Sequence, residues 1–502
     1  MTRRTLIVDS ALAATEARTA AARDGEDGLQ VMGIDQAAAR LAGGFLQPIP
    51  REALQEAIQT VLPTCDLGPL AAIQDLPGMT RAATTTLQKA WDAGVALDNS
   101  HPRRGALVDL DQAACEHLRP SMRRPGDLVA QALARVHLAP AVLGAIEFCG
   151  VPDLAPVWRP LVRALAGQVA VTWTPDARPV PDWLSSIGLD SAARVDRAAP
   201  RHGVSCANPR HEAIEAMRWA RRLIARGDAA PHEIALTAAA PAEWDSHLLA
   251  MSRDANIDIH FAHGRPVVSR PEGQACAALA EALLNGPSQD RIRRLVPLLK
   301  SQGGVLHEIP GSWTRVLPRD APLTSPDLWR RQLARIEDWP EDIDFSDPLL
   351  ALIDRISAGP DHAADAGDTL LTGVARAIWR QALAEGPPHA LDVTLQGLRI
   401  ADDVDPAAAI VWGPAATVAG APRAHMRLLG LTSRAWPRPR GEDPLLPEHV
   451  VAQDDLDPVP VPERDRRDFQ ALLAGAGREI ALSRSRRDAE GRQLGASPLW
   501  PE

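Results

Sequence analysis

The stretch that most constrains the fold is a short strand followed by a stiff loop, at residues 425–447. Residues 426–431 are mostly apolar, which is typical of a buried strand in a parallel sheet. Gly430 lets the backbone turn sharply, and Pro437 and Pro439 exclude a helix in the loop that follows. Proteins of the α/β class present their sites on such loops, at the carboxyl ends of parallel strands.

The beginning of the chain alternates strand and helix patterns in the same way. Residues 5–8 predict a strand that is followed by a helix at residues 10–22, and residues 30–33 and 34–42 repeat the pattern. Such alternation predicts an α/β protein with parallel sheets. A chain of 502 residues is too long for one apolar core, so we expect two to four domains.

The charge of the chain excludes a global attraction to nucleic acid. The formal net charge is -10, so any contact with DNA must be local or supplied by a partner. The five cysteines are scattered without a Cys-x-x-Cys spacing, which gives no zinc or iron–sulfur framework and fits reduced thiols in the cytoplasm. No apolar stretch approaches the length of a transmembrane helix.

Two motifs of nucleotide and nucleic-acid enzymes are missing from the sequence. A phosphate-binding P-loop needs glycines and a lysine, and residues 9–15 contain neither. A PD-(D/E)XK nuclease needs a carboxylate two residues before a lysine, but Leu87 precedes Lys89 and Leu298 precedes Lys300. We therefore expect no ATP binding, no cofactor, no metal and no catalytic residue, so that an enzymatic activity of this chain is not expected.

Residues 208–236 are one of the stretches that resemble a known family. They contain Asn-Pro-x-x-Glu-Ala, a helix, a glycine, and then Pro-x-Glu-Ile-Ala-Leu. Pro209 at the first helical position, with acidic residues early and basic residues late, predicts that helix independently. The order is similar to the start of the second RecA-like lobe in AddB-type subunits of bacterial helicase-nucleases, within the UvrD/RecB-like superfamily.

The carboxyl-terminal part of the chain extends the resemblance. Its strand, its Trp-Pro-Arg loop and the Asp-Pro-Leu-Leu-Pro at residues 443–447 resemble the second motor lobe of AddB-type proteins. Arg466, Arg467 and Phe469 resemble helicase motif VI, but Ala474 stands where the family has an ATP-contacting arginine. The resemblance therefore implies a helicase-like chain whose ATPase motifs are degenerate.

The resemblance implies two RecA-like parallel-sheet lobes of the P-loop NTPase type, with helical insertions. The implied boundaries are a first lobe at 1–200, the first part of a second lobe at 201–264, a helical insertion at 265–390, the second part of that lobe at 391–490, and a tail at 491–502, where a nuclease domain follows in the family. From the residues themselves, we expect Val393 and Leu395 in a strand and Asp153 as the cap of a helix.

Candidate contacts with nucleic acid or a partner lie on the stiff loop and on the helix of motif VI. They are the basic side chains of Arg434, Arg438, Arg440, Arg466 and Arg467. Guanidinium groups suit phosphates and carboxylates, which are the groups that such a surface would meet. We expect Gly430, Trp436 and Pro437 to anchor the loop, and we interpret residues 89–92 as a solvated helix face.

The resemblance implies an ATPase-inactive scaffold in double-strand-break repair, DNA end processing and recombination. The expected partners are DNA, bound weakly, and an AddA-like helicase-nuclease subunit or a separately encoded nuclease chain, in the cytoplasm. Two other classes stay open, namely a small-molecule α/β enzyme that uses residues 436–440, and a protein-interaction adaptor without DNA binding. The sequence offers no convergent acid, base and nucleophile, which counts against the enzyme.

Overall fold

The computed structural model of the chain describes residues 3–174, 178, 180–189, 199–301, 306–319 and 321–500. Over these residues, helices alternate with strands that pair in parallel sheets, which confirms the predicted α/β class. Within the same residues, no helix has both the length and the apolar character that crossing a membrane requires.

The first lobe is a four-stranded sheet with its helices, between residues 4 and 189. The strands of this part are β1 (Arg4–Ile7), β2 (Leu29–Met32), β3 (Gln47–Pro48), β4 (Met122–Arg123), β5 (Ala145–Cys149) and β6 (Val171–Thr174). The helices are α1 (Ala11–Asp24), α2 (Ile34–Leu41), α3 (Arg51–Val61), α4 (Met79–Ala93), α5 (Pro102–Glu116), α6 (Pro125–Ala134), α7 (Ala139–Val142), α8 (Arg159–Ala166) and α9 (Asp182–Ser185). The sheet has the strand order β2-β1-β5-β6, and all its pairs are parallel.

The second lobe is a six-stranded parallel sheet that a long helical segment interrupts. It begins with β7 (Arg201–Cys206), α10 (Pro209–Arg226), β8 (Ile234–Ala238), α11 (Ala242–Ala255), β9 (Ile259–Phe261) and β10 (Arg265–Pro266). The interrupting helices are α12 (Pro271–Asn285), α13 (Gln289–Ser301), α14 (Pro326–Leu333), α15 (Ser346–Ser357), α16 (Ala363–Leu370), α17 (Gly373–Glu385) and α18 (Leu391–Gly397). The lobe resumes with β11 (Arg399–Ile400), β12 (Ile410–Pro414), α19 (Ala415–Gly420), β13 (His425–Leu428), α20 (Gln453–Leu456), α21 (Val461–Gly475) and β14 (Glu479–Ser485).

The strand order of the second lobe explains why helices cover both faces of its sheet. The order is β7-β14-β13-β8-β12-β9, so the chain first moves towards β9 and then returns towards β14. Because parallel crossovers are right-handed, the reversal places α10 and α11 on one face and α19 and α21 on the other. The sheet is therefore doubly wound.

Local signals in the sequence account for the ends of several helices. The side chain of Asn208 accepts a hydrogen bond from the backbone N–H of His211 at 3.0 Å, and Pro209 occupies the first position of α10. Gly227 ends the same helix with a φ of 74°, a left-handed conformation that glycine adopts without strain. The predicted helix in this stretch is confirmed.

The interrupting helices pack on an apolar core of their own, which extends from Val267 to Leu398. The strand that we expected around Val393 and Leu395 is wrong, because both residues lie in α18. Leu391 and Leu395 are four residues apart and both buried, whereas Val393 is exposed, as on one face of a helix.

The two lobes share one apolar core. It joins Leu6 and Leu12 of the first lobe to Val418, Met426 and Phe469 of the second. Helices α1, α19 and α21 therefore lie between the two sheets.

Two glycines permit the close approach of the lobes. A Cβ atom at Gly150 would lie 3.2 Å from the carbonyl oxygen of Gly420, and one at Gly420 would lie 2.9 Å from a carboxylate oxygen of Asp9. Both distances are shorter than ordinary van der Waals contacts, so a side chain at either position would require its neighbour to shift.

Candidate functional site

The carboxyl ends of β1 and β5 open onto a cleft between the two lobes, which holds a cavity of about 460 Å³. Residues after β1 and β5 and residues of α4 line it from the first lobe, and α20 and α21 line it from the second. Charged side chains on its walls include Asp9, Lys89, Asp92, Arg178, Arg467 and Asp468. Open α/β sheets bind ligands at this edge, so the interlobe cleft is the candidate site.

The turn between β1 and α1 lies at one end of the cleft, and only residues 8–10 connect the two elements. Ser10 caps α1, since its hydroxyl accepts a hydrogen bond from the N–H of Ala13 at 3.2 Å. Leu12 and Ala13 are buried in the core that both lobes share. A phosphate cradle needs a longer glycine-rich turn with free N–H groups, so this turn does not fit one.

Ion pairs join the two lobes, and one of them joins the walls of the cleft. A nitrogen of the Arg178 guanidinium lies 3.0 Å from a carboxylate oxygen of Asp468 on α21, and another donates to the carbonyl oxygen of Gly150 at 2.7 Å. Arg423 of the second lobe pairs with Glu16 of α1 at 2.6 Å. These contacts hold the lobes close together. They also pair the positive charges of Arg178 and Arg423, which are then not free to bind an anionic ligand.

Lys89 on α4 extends the interlobe contacts, and the interpretation of residues 89–92 as a solvated helix face is wrong. Its amino group lies 2.9 Å from a carboxylate oxygen of Asp457 and 3.6 Å from one of Asp443. Asp443 is almost fully buried and accepts a hydrogen bond from the Thr86 hydroxyl at 2.7 Å. The interpretation failed because the partners lie more than 350 residues further along the chain.

Asp92 is a half-buried carboxyl group on the wall of the cleft, one helical turn after Lys89. Burial raises the pKa of Asp92 from its usual value of 3.8 to about 6, and the nearby carboxylate of Asp35 acts in the same direction. No ion pair joins Asp92 to another side chain within the part of the chain that the structure describes. A carboxyl group in this position changes its charge near neutral pH.

Asp153 lies in the segment after β5 and on the wall of the cleft. Its carboxylate accepts hydrogen bonds from the indole N–H of Trp183 at 2.8 Å and from the backbone N–H of its neighbour Leu154 at 2.7 Å, and it pairs with Arg159 at 3.5 Å. The expectation that Asp153 caps a helix is wrong, because the following helical turn begins after Ala155.

The loop after β13 turns at Gly430, whose φ is 77°. A Cβ atom there would lie 2.5 Å from the ring of Trp244, so the position requires glycine for space as well as for conformation. Trp436 is completely buried, and its ring meets the edge of Phe469 with the ring centres 5.7 Å apart. The next residue, Pro437, is partly buried.

The guanidinium group of Arg438 forms an ion pair with the carboxylate of Asp465 on α21. Two nitrogens of the Arg438 guanidinium donate to it at 2.7 and 3.0 Å, and the backbone N–H of Arg438 donates at 2.8 Å. These hydrogen bonds to Asp465 raise the pKa of Arg438. A bidentate pair with a buried carboxylate makes Arg438 part of the fold.

None of the other four candidate arginines pairs with a buried carboxylate of the described residues. Arg440 pairs with Asp454 at 2.6 Å on the surface, and Arg466 and Arg467 approach Glu463 at 3.8 and 3.1 Å. Exposed pairs of this kind are weak and exchange readily with other partners. Arg434 is exposed and makes no ion pair with any residue that the structure describes. The structure thus pairs Arg438 with a buried carboxylate and leaves Arg434, Arg440 and Arg466 exposed, whereas Arg467 is partly buried on the wall of the cleft.

A metal site is not visible in the described residues, which contain no group of three or more His, Cys, Asp or Glu side chains placed to hold an ion. Sequence reasoning also missed Arg178 and Asp468, which are 290 residues apart. No local pattern marks either residue, so only the fold brings them together.

Neither a scan against protein-family models nor a search of curated proteins gave a match for this chain.

Proposed function

We propose that the chain is an ATPase-inactive, helicase-like scaffold related to AddB-type subunits, with two RecA-like lobes, that acts in the processing of broken DNA ends. The single observation that carries the proposal is the interlobe cleft. It lies between two parallel sheets, the turn after β1 is short and contains no glycine, and the ion pair of Arg178 with Asp468 joins its walls; these features support a helicase-like arrangement without ATP binding.

The shared apolar core supports a fixed arrangement of the lobes. A motor must open and close its cleft in each ATP cycle, which requires lobes that separate at low cost. Here Leu12 and Val418 belong to one buried cluster, and opening the cleft would expose them to water. A chain of this kind would position DNA or a partner without driving movement itself.

The accessible arginines supply the contact surface in this proposal. Arg434, Arg440 and Arg466 are exposed on the loop after β13 and on the neighbouring helix α21. DNA, an AddA-like subunit or a separate nuclease chain would offer phosphates or carboxylates to them. With a net charge of -10, binding of DNA by the chain alone is expected to be weak and strongly dependent on salt.

Fluorescence anisotropy with a labelled duplex that ends in a single-stranded overhang tests the DNA contact. Replacing Arg434, Arg440 and Arg466 together by alanine should weaken binding about tenfold at low salt, and should lower the slope of log Kd against log salt concentration by about 3. The matched control replaces Arg315, Arg331 and Arg335, which are exposed in the helical segment, by alanine. Equal losses of DNA affinity in both triple variants would show that the effect comes from net charge alone, and would contradict the proposed contact surface.

A protein-interaction adaptor without DNA binding is the second candidate. The observation that favours it is the internal pairing of Arg438 and the overall negative charge. In the same titration an adaptor would show no binding in the parent protein, even at low salt, and the DNA part of the proposal would then fail.

A further inference from the structure

A second pocket, of about 420 Å³, lies beside α10 and shares no lining residue with the interlobe cleft. Strands β7, β13 and β14 form its floor and α10 forms one wall. The side chains that matter most here are Arg222, Arg226 and Arg427, and we call the space the Arg427 pocket.

Arg427 is a buried cation whose hydrogen-bond partners are all uncharged. It lies within β13 and is only 2% exposed. One terminal nitrogen donates to the carbonyl oxygen of Glu215 at 3.1 Å and the other to the hydroxyl of Ser483 at 3.3 Å, whereas the Nε–H has no acceptor. No carboxylate of the described residues pairs with it. Burial lowers the pKa of Arg427, while the nearby Cys206, Glu212 and Glu215 act in the opposite direction. A buried charge without a directly paired carboxylate is costly to the folded state.

The buried acid Glu212 acts on this charge but does not pair with it directly. The carboxylate of Glu212 accepts hydrogen bonds from the N–H of Gly430 at 2.9 Å and from the hydroxyl of Ser485 at 2.6 Å. Burial raises the pKa of Glu212, which favours its neutral form. The hydroxyl of Ser483 lies between Arg427 and Glu212 and connects them.

Two of the acids on the walls of the pocket are engaged by other groups. Glu479 accepts from the indole N–H of Trp219 at 3.3 Å and lies 3.4 and 3.5 Å from the rings of His202 and His425. Glu215 pairs with Arg218 at 2.7 Å. A third acid, Asp228, is exposed near the carboxyl end of α10.

Arg222 and Arg226 contribute positive charge at the mouth of the pocket. They are four residues apart, so they lie on the same face of α10, and both are exposed. Neither forms an ion pair with a residue in the described ranges. Together with Arg427 they place three guanidinium groups around one space.

We infer that the Arg427 pocket binds a small anion that carries a phosphate or carboxylate group. At the floor of the pocket, Arg427 donates its remaining N–H groups to the anion. At the mouth, the guanidinium groups of Arg222 and Arg226 contact the same anion. The bound anion provides the directly paired negative charge that Arg427 lacks among the described residues. This site goes beyond the proposed function and does not depend on it.

Thermal unfolding of the full chain tests the site, with sodium phosphate titrated against sodium chloride at constant ionic strength. Phosphate should raise Tm in a saturable manner, because a ligand that binds only the folded state stabilises it. A parallel titration with citrate distinguishes a phosphate preference from a carboxylate preference, and saturable binding of either anion supports the site. The absence of a saturable shift with both anions would overturn the inference.

Variants at the mouth of the pocket change only exposed side chains, so they test anion binding without disturbing the fold. Replacing Arg222 and Arg226 by alanine should weaken anion binding at least about tenfold, whereas replacing Arg210 and Arg221 should leave it unchanged. The control residues are exposed on the same helix, lie outside the pocket and carry the same total charge. Binding that both double variants retain, or that both lose equally, would contradict the assignment. In Arg427→Lys, a folded protein should also bind at least about tenfold more weakly.

Discussion

At the scale of single residues, the loop after β13 depends on two side chains that reach the same helix in different ways. Trp436 buries its ring against Phe469, and its indole N–H donates to the carbonyl oxygen of Asp465 at 3.4 Å. Arg438 pairs with the carboxylate of that same aspartate. One contact is apolar and the other ionic, and both fasten the loop to α21.

Trp436→Ala should lower the free energy of unfolding by about 3–5 kcal/mol, because it leaves a large cavity in the core between the lobes. Chemical denaturation measures the effect. Arg440→Ala is the control, since it removes only a surface pair with Asp454 and should cost less than about 1 kcal/mol. A loss below about 1 kcal/mol in the tryptophan variant would show that the ring does not anchor the loop.

Asp92 makes stability depend on pH in a defined direction. Its pKa of about 6 in the folded chain exceeds the usual 3.8, so the folded state holds the proton more tightly than the unfolded state does. Ionisation of Asp92 therefore reduces stability as the pH rises from about 4 to about 6, and the penalty is complete above that range.

Asp92→Asn removes this penalty. The variant should be more stable than the parent by about 2–3 kcal/mol above about pH 7, and the two proteins should be nearly equal at about pH 4. Denaturation curves at both pH values measure the difference, with the exposed Asp455→Asn as control. An unchanged difference between the two pH values would mean that the Asp92 carboxyl group is not desolvated.

Whether the structural role of these residues can be predicted from the sequence depends on how far away their partners lie. Gly430 and Pro437 act on their own backbone, so the sequence alone predicts a sharp turn and a stiff loop. Arg438 is different, because its partner Asp465 lies 27 residues away on another element. Sequence reasoning alone does not distinguish it from the other four candidate arginines.

At the scale of elements, the segment after the stiff loop fastens the second lobe to the helices of the first. Leu445 and Leu446 are buried in the apolar core of α3, α4 and α5. The carboxylate of Asp443 accepts from the Thr86 hydroxyl of α4 and from the N–H groups of both leucines, the latter at 3.1 Å. Asp443 thus stabilises the turn at Leu445 and Leu446, and it also holds this segment against α4.

Asp443→Ala should lower stability by about 2–4 kcal/mol, because three donors lose a buried acceptor at once. Limited trypsin digestion should then cleave at Arg434 and Arg440 faster than in the parent protein, since the segment undocks locally. Asp455→Ala serves as the control, because it removes an exposed acid on α20. Equal digestion rates in both variants would contradict the docking role.

The sequence predicted elements well where the pattern is local and periodic. Strands β1, β2 and β13 and helix α10 lie close to their predicted positions, since apolar runs, caps and terminal glycines mark them. Helix α18 was missed because a stretch of seven residues is too short for its period to be recognised. The arrangement of the two sheets around one core depends on contacts between distant elements, which periodicity does not reveal.

At the scale of the whole molecule, the two sheets share one apolar core beside the interlobe cleft. Helices α1, α19 and α21 fill the space between the sheets, and the pairs of Arg178 with Asp468 and of Arg423 with Glu16 cross the boundary. This arrangement places the accessible arginines of the second lobe at a fixed distance from the first lobe. It is the physical basis for proposing a scaffold rather than a motor.

Calorimetric titration of the full chain with ATP and magnesium tests this central claim most directly. We predict no saturable heat up to millimolar nucleotide, because the turn after β1 lacks glycine and lysine and α1 is capped by Ser10. A micromolar Kd that is lost in Arg467→Ala, but retained when Arg222 and Arg226 are replaced by alanine, would place a nucleotide in the interlobe cleft and contradict the account.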